Sequence, residues 1–467
     1  MAGVSKLVAA VALAASAAPL TDATLRPQLD RLVAAVAAAR HLPYAGTLPA
    51  RAVTREEWSR AVLVAVGEAT QSPAMRTEGE LLRRLGLPVG QRAGDAGGDF
   101  GAGAAEAYGD AAAPRARYDA ATGRLLVPDF IPFETQRIDV VHEIAHAVAD
   151  QHFGLRRLLE VAPDGTSRLD GDARRARLAL VEGDALLAGL ELADPRETFL
   201  GAHELTALAA RLRAAESGAP SWFVDLGQFT HLDGLLFVAG VRAHRPWSAV
   251  DALWADPPAS TEQVLHPEKY EACEAPLAVD EAALPALPGY GRPAGSDVLG
   301  EMVLRSWLAL AVSPEVAERA AAGWGGDRAA LYRPTPGAAP ADGGAPAPGA
   351  PLAWTTVWDD AGEADDFARA ARQVLARLSG ADADAGGEAD RAVFSSLREA
   401  SSSRGAFALA RRGDAVVLLL AAPEPAEATL DAMLEAVRPR ATRKAAPRPR
   451  RAAQPGCPRR DRAAGPP

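Results

Sequence analysis

The sequence predicts an α+β chain that is predominantly helical. Three observations lead there. Apolar residues recur at helical spacing in long stretches such as "QRIDVVHEIAHAVADQHF" (136–153), where Ile138, Val141, Ile144, Ala145 and Val148 share one face. "ARYDAATGRLLVPDF" (116–130) reads as a turn joined to a short β-type run, which makes a hairpin directly before that helix. Finally, "LAWTTVWDDAGEADDFARAARQVLARL" and "DAVVLLLAAPEPAEATLDAMLEAV" read as strand–helix pairs near the end of the chain.

Taken in order, residues 1–20, "MAGVSKLVAAVALAASAAPL", have one early positive charge, an apolar run and small residues at Ala15-Ser16-Ala17, the pattern of a signal peptide. The expected location is therefore outside the cytoplasm, as a secreted, periplasmic or envelope protein. The plainer alternative is an Ala-rich helix in a cytoplasmic one. Residues 21–91 form a helical region in which Thr54 and Glu57 make a capping box. Residues 92–115 are a Gly/Ala-rich loop. Residues 116–332 are expected to be the core. In it, Gly154 ends the histidine-bearing helix and Asp172 caps the next one, "DGDARRARLALVEGDALLAGLELA" (170–193). More helices follow to about 255, then the dense stretch "DPPASTEQVLHPEKY" (256–270), a helix in "SDVLGEMVLRSWLALAV" (296–312) and a Gly-rich turn in "GWGGDRAALY" (323–332). Residues 333–351 are a Pro/Gly-rich linker, and 352–437 are a C-terminal α/β part. Residues 438–467 carry ten basic residues and one acid, and are expected to be a disordered basic tail.

Composition narrows the function classes. Apolar content is 48% and charged content 24%, ordinary for a soluble globular chain. The net charge of −10 combines the basic tail with an acidic body, which does not describe a nucleic-acid-binding protein. The tail alone suits loose contact with anionic surfaces. Basic residues are almost all Arg, lysine occurring only at Lys6, Lys269 and Lys444. No stretch reaches the ~18 apolar residues of a membrane span. The two cysteines, Cys273 and Cys457, imply neither a disulfide framework nor a cysteine metal site.

The histidines of "VHEIAHAVADQHF" carry the chemistry. On an α-helix His142 and His146 lie about 40° apart, so both imidazoles reach one metal ion. Glu143, turned about 100° from His142, can lean over the metal as a general base without being a ligand. A third ligand is then needed. His152 has the histidine spacing of an H-E-x-x-H-x-x-x-x-x-H site, but Ala149 stands where that pattern needs a helix-breaking glycine. On an unbroken helix His152 points about 120° away from His146, which suits a supporting role better. Glu182 is the other choice. It sits among Leu178, Val181, Ala185 and Leu186, where an unpaired carboxylate is costly unless it coordinates a metal or meets Arg174 or Arg175.

These residues resemble a gluzincin-type zinc metallopeptidase. They are more closely similar to a poorly characterised group of bacterial H-E-x-x-H proteins whose helix reads like "HEIAHAVADQHF" and whose later helix carries "VEGDA". "STEQVLHPEKY" and "GWGGDR" are similar to further signatures of that group, so the resemblance spans most of the chain. It implies a zincin-like catalytic core, with 352–437 as part of the same fold. It also implies one Zn²⁺ per chain held by His142, His146 and Glu182, with Glu143 as the base in hydrolysis of a peptide or protein substrate. Leu186 stands where many gluzincins have Asp, and Asp184 is the expected substitute that orients a histidine. His266 and Tyr270 are candidates to stabilise the oxyanion, and the alternative for both is a structural turn with Pro267. The competing expectation is a non-catalytic envelope protein that keeps the fold as a binding scaffold. Its mark would be loss of Glu143, which is present.

Overall fold

The computed structural model describes residues 20–89, 116–162, 166–193, 202–215, 222–281, 284–335, 351–382, 390–395 and 405–437. Almost all of the expected signal peptide, the loop at 92–115, most of the linker and the whole basic tail lie outside these residues. The described part is α+β and mostly helical.

In the first part, α1 (Asp22–Arg40) leads to β1 (Ala50–Val53), which the sequence pattern had not marked as a strand. Next comes α2 (Arg55–Gln71), opened by the expected Thr54/Glu57 capping box, and then α3 (Pro73–Arg84). The hairpin is β2 (Arg117–Asp119) and β3 (Arg124–Pro128), paired antiparallel. Its turn is closed by Asp119, whose carboxylate accepts from Ala121 N–H and Thr122 Oγ1, while Gly123 takes a left-handed φ of 65°. β1 pairs parallel with β3, so the sheet order is β1-β3-β2 and β2 is an edge.

Two long helices follow. α4 (Phe133–Phe153) carries the histidines and ends at Gly154, with φ 77°. α5 (Gly171–Ala193) carries Glu182. Its first turn is capped by Asp170, which accepts from Ala173 N–H, and not by Asp172 as expected. Asp172 instead is buried and accepts from both the N–H and the hydroxyl of Thr261. Then come α6 (Ala202–Ala215), α7 (Trp222–Gln228), a π-helical turn at Phe229–Asp233, α8 (Gly234–Arg242), α9 (Ser248–Ala255), α10 (Thr261–Leu265) and α11 (Pro267–Glu271).

The last part is a six-stranded antiparallel sheet, order β4-β5-β6-β9-β8-β7. Its strands are β4 (Gly295–Asp297), β5 (Trp324–Leu331), β6 (Leu352–Trp358), β7 (Arg391–Ser395), β8 (Ala406–Arg412) and β9 (Ala415–Ala422). Between them lie α12 (Gly300–Leu308), α13 (Pro314–Ala321) and α14 (Ala361–Ser379), and α15 (Glu427–Ala436) closes the described chain. Both faces of the sheet are covered, which is why β9 is apolar throughout. Val416, Leu418 and Leu420 join the main core with Phe367 of α14, while Val417 and Leu419 face Leu430 and Met433 of α15.

"GWGGDR" opens on a turn at Gly323, with a left-handed φ of 80°, and runs from Trp324 into a buried strand. Gly326 serves close backbone approach: a Cβ there would lie 2.1 Å from Leu277 O. Asp327 in the same stretch accepts from the N–H groups of Leu299 and Gly300 and from the indoles of Trp324 and Trp354. "STEQVLHPEKY" does comparable work. Thr261 joins α5 to α12 through Asp172 and Met302 N–H, and Lys269 pairs with Glu262, Glu274 and Asp359. Both motifs thus fasten the helical part to the sheet. The expectation of no disulfide framework concerns Cys273 and Cys457. Cys457 lies outside the described residues. Among the described residues no helix is long and apolar enough to cross a membrane.

Candidate metal centre

Two faces of α4 do different jobs. Glu143 and Asp150, seven residues and hence about two turns apart, point at the hairpin. Glu143 Oε2 accepts from Tyr118 N–H at 2.6 Å, and Asp150 Oδ2 accepts from Tyr118 Oη at 2.8 Å. At the start of the helix, buried Gln136 donates to Pro128 O and Ile131 O, both at 2.8 Å. The hairpin is thus held against the helix along its length. His142 and His146 point the other way, toward α5.

There the imidazoles meet Glu182. Its Oε2 lies 3.0 Å from His142 Nε2 and 3.4 Å from His146 Nε2, and the two Nε2 atoms are 2.9 Å apart. Ligand atoms around a tetrahedral Zn²⁺ at about 2.0–2.1 Å sit about 3.3–3.4 Å from one another. One of the three spacings matches this and the other two are about 0.3–0.5 Å shorter, so the group could hold a metal ion after a small spreading of its donors. Glu143 offers a carboxylate oxygen within 4.8 Å of a ring nitrogen of each histidine, close enough to act beside such an ion.

A residue that sequence reasoning passed over also faces this point. His231, in the π-helical turn, has its Nε2 3.2 Å from Glu182 Oε2, and its ring stacks at 5.9 Å on that of His142. Its only sequence signal is a histidine inside the apolar run "FTHLDGLLFVAGV" (229–241).

Close helix packing makes the meeting possible. A Cβ on Gly183 would lie 2.2 Å from Gly234 O, and one on Gly234 would lie 2.1 Å from Ala179 O. α5 and the start of α8 therefore touch backbone to backbone. This explains the glycine that follows Glu182 in "VEGDA".

The charges perturb one another. Burial disfavours charge on His146, but the neighbouring Glu182 carboxylate overcomes it and raises the imidazole to about 9. Burial likewise opposes ionisation of Glu182, yet the His231 and His146 charges and the imidazole hydrogen bonds hold it well below the usual carboxylate range. Burial lowers His231, with Glu182 acting against that shift.

The other expected residues stand elsewhere. His152 is exposed and donates from Nε2 to Pro43 O at 2.7 Å, next to Gln151, which clasps Ala45. It latches the α1–β1 connection onto α4 and does not join the cluster. Asp184 is taken by Arg40, at 2.6 and 2.9 Å, and by Trp254 Nε1, at 2.7 Å. It orients neither histidine, and the Nδ1 atoms of His142 and His146 are buried with no protein partner. His266 pairs with Glu301 at 3.0 Å, and Tyr270 donates its hydroxyl to Asp256 O at 2.8 Å. His266 belongs to the junction with α12 and Tyr270 to the end of α9, and neither is brought to the imidazoles. Arg174 and Arg175 bind Glu78, which leaves Glu182 to the histidines.

No curated protein and no solved structure matches this chain. A family profile described as a domain of unknown function, DUF8575, matches residues 288–434, which run from just before β4 into α15 and leave out α4, α5 and the π-helical turn.

Proposed function

We propose that this chain is a zinc-dependent peptidase with a zincin-like core, in which His142, His146 and Glu182 hold the ion and Glu143 is the general base. The observation that carries this reading is the convergence of two imidazoles from one helix and a carboxylate from a second, at spacings close to those of zinc ligands, with another carboxylate alongside. When bound, Zn²⁺ would supply Lewis-acid polarisation of the scissile carbonyl and lower the pKa of a water.

The chain's own groups supply the rest. Glu143 is anchored by Tyr118 N–H, so its carboxylate is positioned before substrate arrives. It takes the proton of the attacking water and delivers it to the leaving amine nitrogen. The oxyanion donors expected at His266 and Tyr270 are not part of this proposal, because His266 is committed to Glu301 of α12 and Tyr270 to Asp256 O at the end of α9.

The test compares wild type and Glu143→Gln on a broad peptide library, with metal analysis of both. The reading expects cleavage by wild type, none by the variant, and equal zinc in each. Zinc-loaded wild type that cleaves no peptide would favour a binding scaffold.

A further inference from the structure

We infer that His231 is a fourth protein ligand of this metal site. The inference rests on the metal site proposed above and adds a donor that the H-E-x-x-H pattern does not contain.

The ring's orientation is fixed from behind. His231 Nδ1 lies 3.0 Å from Gly227 O, a carbonyl that can only accept, so Nδ1 carries the hydrogen and donates it. Thr230 Oγ1, itself bonded to Leu226 O at 3.0 Å, packs 3.1 Å from the same nitrogen. In the neutral ring the lone pair is then on Nε2. That atom faces Glu182 Oε2 at 3.2 Å, the same oxygen that faces His142 and His146. At this distance a proton or a cation must lie between the two atoms, and His142, Glu182 and His231 offer ligand atoms all within 4.8 Å of one another, close enough to share one ion. A metal held by Glu182 provides that cation, and the neutral imidazole is suited to bind it.

The backbone is built for this placement. His231 sits in the π-helical turn at Phe229–Asp233, where the wider turn carries an additional residue into the helix. The contact between Gly183 and Gly234 brings that turn against α5. The resulting donor set is three nitrogens and one oxygen. Zinc expands to five-coordinate in some catalytic sites, which admits the water that hydrolysis needs.

The experiment measures Zn²⁺ affinity of the full chain by competition with a chromophoric chelator, and the visible spectrum of the Co²⁺-substituted protein. Wild type is compared with His231→Ala and His231→Gln. Loss of an outer partner of a ligand costs about 10–100-fold in affinity, so loss of a ligand should cost more than about 100-fold. Altered Co²⁺ bands and partial rescue of His231→Ala by added imidazole are also expected. Circular dichroism of the metal-free variants controls for folding. An unchanged Co²⁺ spectrum with a loss below about 100-fold would overturn the inference, as would a wild type that binds no metal. Zinc-binding wild type without peptidase activity would instead overturn only the peptidase reading.

Discussion

Gly183 and Gly234 pack backbone against backbone, with room for neither to carry a side chain: a Cβ on Gly183 would stand 2.2 Å from Gly234 O. This contact sets the distance between α5, which carries Glu182, and the turn that carries His231.

Gly183→Ala therefore pits two effects against each other. Alanine gains about 1 kcal/mol in helix propensity. Overpacking costs about 1–3 kcal/mol, and a clash with backbone cannot be relieved by rotating a side chain. Net destabilisation is expected, together with weaker metal binding. Denaturant midpoints and chelator competition measure both, and a variant as stable as wild type with full metal affinity would refute the packing argument.

Arg40 is the buried counterpart of Asp184. It is 1% exposed, pairs with Asp184 and Asp251, and lies 4.2 Å over the Trp247 ring. Arg40→Ala leaves Asp184 buried and uncompensated, a loss of about 3–5 kcal/mol. Because Asp184 does not touch the imidazoles, the fraction that still folds should keep its metal. Urea unfolding with metal analysis of the soluble protein checks this, and metal loss from a fully folded variant would place Asp184 in the site after all.

Buried carboxylates at the junction give the stability a pH dependence. Burial raises Asp172 to about 7, and it also raises Asp297, Asp327 and Glu301. A group whose pKa is higher folded than unfolded contributes stability that is complete below the unfolded value, near 4. That contribution is lost as pH rises through the folded one. The unfolding midpoint should thus fall between pH 5 and pH 8, and Asp172→Asn should flatten the slope. A midpoint that rises over this interval would contradict the sign.

The helix carrying His142 and His146 was legible because its apolar period and end residue agree. So was the hairpin, because Asp119 and Gly123 are the residues its turn needs. Glu182 stood out as an acid in an apolar helix. His231 did not, because its position depends on a π-helical turn that breaks the 3.6-residue period by which facing residues are matched. "GWGGDR" reads as a turn because glycine usually marks one. Gly323 does sit in a turn, but Gly326 makes room for the Leu277 backbone, a contact 49 positions away in sequence that no local pattern reveals. Asp170 and Asp172 both suit a helix cap. Only the position of Thr261 decides that Asp172 is used for a tertiary bond.

The proposed chemistry requires one metal ion between α4 and α5. Metal analysis of the purified full chain, beside Glu182→Ala, His146→Ala and His152→Ala, measures whether it is there. About one zinc per chain is expected in wild type and in His152→Ala, with strong loss in the other two. A wild type without zinc, or zinc that survives Glu182→Ala but leaves with His152→Ala, would contradict the proposal.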